Sequence, residues 1–424
     1  MSTTRTSRRQ PACDDEMEDS MNEKQGPLAG VRVADFGHVL AGPYSTMLLA
    51  ELGAEVIKIE SGSKIDEQRV LHGAGASKDP EASSNFFEIN LNKRSVTLNL
   101  KQERGVELAE RIVAKCDVVM ENMRPGVMDR LGLGYETLRA VKPDIIMLSL
   151  SGFGATGPFR SYTAYAPCFT CFSGQANLTG YADGTPNQLT SSGDSRAGTT
   201  GAFAILAALL IRQRTGAGQY IDLSSSEALN QLIGDQMMDW TMNRRSPSRT
   251  GNHDAQMAPH NVYRTAGDDE WVSIAVQDDD HWAAFVGILG SPSWATDPDL
   301  ATSAGRLARE EELDERIAAW TRTRRASDLT EKLQAAGIAA MPSFTAEQVF
   351  NDPQLLHRGA ITEVDHVRLG RRRTIAPPWL FSRTPARITR PAPQLGEDND
   401  EILGGLLGIQ PDELEDHIAV GAVR

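Results

Sequence analysis

From residue 27 onward the chain alternates short apolar runs with amphipathic helical stretches, and that alternation narrows the architecture it can adopt. Residues 31–36 (VRVADF), 55–60 (EVIKIE), 95–100 (SVTLNL), 117–120 (DVVM), 144–149 (DIIMLS) and 218–224 (GQYIDLS) read as strands. Helical periodicity at 43–52, 103–115 and 135–141 falls between them. Strand–helix–strand order predicts a parallel sheet with helices on its faces, an α/β fold with a Rossmann-like large domain. Ligands of such sheets lie beyond the carboxyl ends of the strands. Candidate site residues are therefore sought in the loops that follow them.

A chain of 424 residues exceeds one simple core, and its composition changes mark where it divides. Residues 1–26 are polar, basic and then acidic, and are expected to form a disordered tail. Residues 27–235 form the large α/β domain, and the Arg/Ser/Pro/Gly-rich passage 243–252 is a connection. Residues 250–350, with a strand at 271–276 and helices at 281–289 and 310–336, read as a smaller α+β domain. The basic, proline-rich stretch 371–378 and helices at 400–407 and 412–420 lie in a segment, 365–424, expected to return to the large domain.

A formal net charge of -14 argues against nucleic acid as a partner. No apolar stretch is long enough to span a bilayer, and the N-terminus lacks a signal-peptide core, so a cytoplasmic protein without a membrane partner is expected. Cys168 and Cys171 have C-x-x-C spacing, but no second pair or nearby His completes a zinc site. They read as two small core residues beside a loop, with a redox dithiol as the alternative.

The stretch SSGDSRAG at 191–198 leads into the charge-free apolar run 204–211, which reads as a buried helix. Asp194 stands just before that run among Gly, Ser and Ala. There it would face the positive end of the helix dipole, which favours the ionised carboxylate, and its small neighbours leave room for a reactant. Capping the helix is the simpler use of an Asp in that position. GFGATG at 152–157 matches G-x-G-x-x-G, but Pro158, Phe159, Arg160 and Ser161 follow and no helix opens, so a dinucleotide site is not expected. DDDHW at 278–282 reads as a polar turn and helix start, and no metal site is expected. Lys93, Arg94, Lys101, Arg124 and Arg130 are the basic residues near predicted strand ends, where phosphates could be met.

These stretches together resemble the class III coenzyme A-transferases, the CaiB/BaiF family. The resemblance rests on PLAGVRVADF at 27–36, AGP at 41–43, LGAEVIKIE at 52–60, NKRS at 92–95 and ENMRPG at 121–126. Leu131-Gly132 with Tyr135, TGY at 179–181 and TGAGQ at 215–219 extend it over most of the chain. It implies that Asp194 is a nucleophile that takes the acyl group of an acyl-CoA donor and passes CoA to a carboxylic acid through aspartyl intermediates. It further implies CoA contacts at Leu40, Ala41, Leu98, Lys101, Asn122, Met123, Arg124 and Arg130, and acyl or acceptor contacts at His260 and Tyr165. CoA and acyl-CoA are then substrates, with no tightly bound cofactor, and the protein is expected to be a homodimer of interlocked chains.

The departures bear on specificity. Relatives that move CoA between formate and oxalate carry Gln in place of Leu40, Glu in place of Ala166, and basic residues in place of Ser61 and Thr163. Larger dicarboxylic or aromatic acids suit this chain better. The family's α-methylacyl-CoA racemases need a His some thirty residues before the aspartate, and none occurs here between His72 and His253. An acyl-CoA-binding protein without turnover is the non-enzymatic alternative.

Overall fold

The computed structural model describes residues 26–71, 78–187 and 190–423. The expected N-terminal tail, apart from Gly26, lies outside the described residues. Contacts divide the chain into two units, one holding the residues up to Ser173 with Leu189–Gly234 and Gln354–Arg424, the other Gly174–Gln188 and Asp235–Pro353. The short segment Gly174–Gln188, assigned from sequence to the large domain, clusters with the second unit.

The first unit is built on six parallel strands: β1 (Arg32–Asp35), β2 (Glu55–Glu60), β3 (Lys93–Thr97), β4 (Val118–Glu121), β5 (Ile146–Ser151) and β6 (Tyr220–Ser224). Their order across the sheet is β3-β2-β1-β4-β5-β6. The helices used below are α1 (Ala41–Glu51), α2 (Glu103–Val113), α3 (Tyr135–Val141), α4 (Ala166–Phe172) and α5 (Thr190–Thr215). Successive strand residues point to opposite faces and both faces are covered, which is why the strands read as unbroken apolar runs. Val33, Val56, Val118, Ile146 and Leu148 pack in a core with α1 and α5. Their neighbours Ala34, Ile57, Val119 and Met147 pack in a second core with α2 and Leu138 of α3.

The C-terminal segment covers the edge of the sheet. Asp398 accepts the Ser95 N–H at 2.8 Å, Asn399 accepts the Thr97 N–H at 2.8 Å, and Leu98 forms an antiparallel bridge with Val423. Those bonds occupy the outward amides of β3 that would otherwise template pairing with another chain. The segment 400–406, expected to be helical, is wound as a π-helix. Strands β10 (Ile361–His366) and β11 (Gly370–Ile375) form a two-stranded antiparallel hairpin where the sequence showed only a basic, proline-rich passage. Exposed Arg371, Arg372 and Arg373 sit on β11 and mask its alternation, while Thr374 is fully buried.

The second unit carries an antiparallel sheet in the order β7 (His260–Arg264), β8 (Trp271–Ala275), β9 (Ala339–Pro342). Helices α6 (Asp279–Leu289), α7 (Glu310–Thr321) and α8 (Ala326–Ala335) pack on it through Phe285, Leu313, Ile317, Leu329 and Leu333. Asp278 caps α6 by accepting the His281 N–H, so the acidic run there starts a helix. Among the described residues, no group of three or more His, Cys, Asp or Glu is placed to hold a metal ion.

Beneath the amino end of α1 the first unit buries a charged cluster. Asp35 accepts hydrogen bonds from Lys93 at 3.0 Å, Thr46 at 2.7 Å and the Gly37 N–H at 2.7 Å. Burial alone would raise its pKa, but Lys93 and Lys58 hold the carboxyl below its ordinary value. Lys93, a candidate phosphate contact from sequence, is thus an internal counter-ion with no exposed surface. Arg94 pairs with Glu55 at 3.5 Å and with Glu401, and so is also occupied within the fold. Removing one partner of such a buried pair strands the other charge. Asp35→Asn is expected to destabilise the protein by about 3–5 kcal/mol, read as a lower urea midpoint at neutral pH.

Candidate active site

The strand order reverses between β1 and β4, which start connections running to opposite sides of the sheet, and a crevice opens beyond their carboxyl ends. A cavity of about 220 Å³ lies there. Its wall is made by Val39, Leu40 and Ala41 after β1, by Asn122, Met123, Arg124 and Pro125 after β4, and by Leu150 to Phe153 at the end of β5. Residues 160 and 162–166, Phe169 of α4, Asp194 of α5 and Ser225 complete it.

Asp194 reaches this crevice because glycines flank it on α5. A Cβ at residue 198 would stand 2.6 Å from the Ala41 carbonyl oxygen, so α5 meets the first turn of α1 backbone to backbone. A Cβ at residue 193 would stand 3.0 Å from Thr170 Oγ1 and 3.1 Å from the Phe169 ring, which brings α4 equally close. The sequence expectation that Asp194 precedes the helix is corrected. It lies in the second turn of α5, so it does not cap that helix. Its ionisation is corrected too. Burial pushes its carboxyl up to about 6, where the helix end had been expected to favour the charged form. The carboxylate is still mostly ionised at neutral pH, but it is poorly solvated.

Of the residues singled out from sequence, Asp194, Leu40, Ala41, Asn122, Met123, Arg124 and Tyr165 line this one cavity. Four others do not. Leu98 is buried in the core beside α2, with its backbone bridged to Val423. Lys101, in a turn, and Arg130, the last residue of the short helix Val127–Arg130, are exposed outside the cavity wall. His260 belongs to β7 of the second unit, where its Nδ1 lies 2.6 Å from the Asn252 carbonyl oxygen. Arg124 donates to Thr163 Oγ1 at 2.6 Å, which fixes the guanidinium along the cavity edge.

Sequence reading missed Arg160 and Tyr162, which the loop after β5 brings to the wall. Their position just after the G-x-G-x-x-G match was the available signal, since that loop leaves a strand's carboxyl end. No helix opens after the match before Ala166, as the stretch 158–161 predicted. Cys168 and Cys171, expected in the core, are exposed free thiols on α4, because Ala166, Phe169 and Thr170 take its buried side.

A half-buried, poorly solvated carboxylate thus stands on a cavity wall at the switch point of a doubly wound sheet. The chain matches CoA-transferase family III over residues 28–399 and belongs to that family. It is 36% identical over 391 residues to a succinyl-CoA–D-citramalate CoA-transferase of Chloroflexus aurantiacus, covering 92% of this chain and 96% of the relative. It is 33% identical over 419 residues to a formyl-CoA:oxalate CoA-transferase of a Bradyrhizobium species, covering 93% and 97% respectively. The crystal structure of a CaiB/BaiF family protein from Brucella suis superposes with a TM-score of 0.82 at 31% identity, covering 90% of this chain and all of that one.

The raised pKa of Asp194 sets the sign of a stability effect. Holding the charge in this site costs folding free energy above about pH 6, and the cost fades as the pH falls toward the unfolded carboxyl pKa. Asp194→Asn is therefore expected to stabilise the protein by about 1–3 kcal/mol at pH 8, with roughly half that gain at pH 5. Paired urea titrations at the two pH values check this.

Proposed function

We propose that this chain transfers CoA from a succinyl-CoA-like donor to a carboxylic acid acceptor, with Asp194 as the covalent nucleophile. The observation that carries the reading is the half-buried Asp194 carboxylate on the wall of the switch-point cavity, in a chain of the CoA-transferase family. An Asp194 oxygen attacks the thioester carbonyl carbon, the C–S bond breaks, and CoA leaves as the thiolate, giving a mixed anhydride. The thiolate then attacks the aspartyl carbonyl, releasing the donor acid and forming an aspartyl-CoA thioester. The acceptor carboxylate attacks that thioester, and the thiolate returns to the acceptor's acyl carbon, which frees Asp194. Arg124 and Arg160 on the same wall supply positive charge for the CoA phosphates or the acid.

Leu40 and Ala166 both line the cavity, so two polar groups that the resemblance associates with formate and oxalate are replaced by apolar surface. That supports an acid larger than formate, in keeping with the succinyl-CoA named for one relative. No histidine is among the described residues that line the cavity, which leaves a racemase without its second proton-transfer group. The reading includes a cytoplasmic homodimer of interlocked chains. No described helix is long and apolar enough to cross a membrane.

Asp194→Ala is expected to keep its affinity for CoA while transfer from succinyl-CoA to a panel of carboxylic acids falls at least 10³-fold, on the order expected for loss of a nucleophile. Hydroxylamine trapping after incubation with succinyl-CoA should modify Asp194, as read by peptide mass spectrometry; unmodified Asp194 with turnover intact rejects the nucleophile. Turnover should also fall about tenfold per pH unit below about pH 6, because the ionised fraction of Asp194 falls at that rate.

A further inference from the structure

The turn between β1 and α1 is held in an unfavourable shape from several directions. Val39, a β-branched residue, has φ +63°, in the left-handed region that such residues avoid. Its N–H donates to Asp66 Oδ1 at 3.1 Å. Both backbone groups of His38 are taken by one side chain: its N–H donates to Asn122 Oδ1 at 2.8 Å, and its carbonyl accepts from Asn122 Nδ2 at 2.8 Å. The Gly37 carbonyl accepts from Lys58 Nζ at 2.7 Å, and Lys58 in turn pairs with Asp66 at 3.0 Å. Lys58 and Asp66 are almost wholly buried. Val39, Leu40 and Ala41, which this bracing presents, line the same cavity as Asp194.

We propose that Asn122 and Asp66 are positioning residues that clamp the Gly37–Val39 turn, and that the Asn122 amide acts on CoA through this turn rather than by touching it. Its carbonyl and one N–H are both spent on His38, leaving one N–H for any other partner. A strained residue at a site persists when its surroundings over-determine it, and the bonds to residues 37, 38 and 39 do so here. The proposal rests on the reading of the cavity as an acyl-CoA site. It replaces the direct CoA contact that the resemblance implies for Asn122.

Three variants of the full-length protein test it: Asn122→Ala, Val39→Gly, and the two combined. Glycine adopts a positive φ without strain, so a turn carrying it no longer needs the clamp. Free CoA affinity is measured by calorimetry, and amide hydrogen exchange at residues 38 and 39 by NMR. In Asn122→Ala, exchange at His38 and Val39 is expected to accelerate at least tenfold and CoA to bind at least fivefold more weakly. In the double variant, CoA affinity should return to within twofold of Val39→Gly alone. The near-isosteric Asn122→Asp keeps the acceptor for the His38 N–H and loses the donor, so it should fall between wild type and Asn122→Ala. Weaker CoA binding that Val39→Gly does not restore, or exchange at 38 and 39 that is unchanged, overturns the clamp. Unchanged CoA affinity in Asn122→Ala overturns its role in the site. Failure of the unmodified protein to bind CoA instead overturns the acyl-CoA reading of the cavity, whatever the exchange data show.

Discussion

The site depends on one backbone contact. Helix α5 lies against the first turn of α1 because residue 198 has no Cβ, which would otherwise stand 2.6 Å from the Ala41 carbonyl. A Cβ there would force the two helices apart until that 2.6 Å approach became an ordinary contact. The Leu40–Ala41 segment would then withdraw from Asp194, and the cavity that they share would open. Gly193, Gly198 and Gly201 are thus packing requirements first, and the space around the carboxylate follows from them.

The other half of the site is fixed by buried charge. Asp35, Lys58, Asp66 and Lys93 are almost fully removed from solvent and neutralise one another beneath the β1–α1 turn. Such clusters add little net stability compared with an apolar core. Their directionality is what apolar packing lacks, because each bond specifies a partner atom and a line of approach. Gly37 and Val39 are each held by members of this cluster, and His38 by Asn122. An apolar core there would leave the turn free to relax from the positive φ at Val39.

These two constraints meet at Asp194 with opposite effects on it. Close packing of α1 and α4 strips water from the carboxylate and raises its pKa to about 6. The switch in strand order keeps one side of it open to a cavity edged by Arg124 and Arg160. The group is charged at neutral pH, weakly hydrated and approachable from one direction, which fits the nucleophilic role proposed for it. The same desolvation costs folding free energy, as is usual where a site is tuned for reaction.

The sheet was legible in the sequence because parallel strands buried on both faces leave unbroken apolar runs, as at 55–60 and 144–149. Asp194, Leu40, Ala41, Asn122, Met123, Arg124 and Tyr165 could be named without coordinates, since family motifs follow strand ends. Other assignments needed the tertiary structure. Lys93 and Arg94 look like surface cations until their carboxylate partners, from residues far along the chain, are brought beside them. Leu98, a CoA contact by resemblance, is instead buried in the core and bridged to Val423 by the C-terminal segment. Arg160 enters the site through a loop with no periodicity to betray it. Local sequence therefore determined which strands make the main sheet and which carboxylate stands apart. Only the folded chain decided which charges remain free to meet a ligand, because pairing and desolvation depend on neighbours that sequence distance does not reveal.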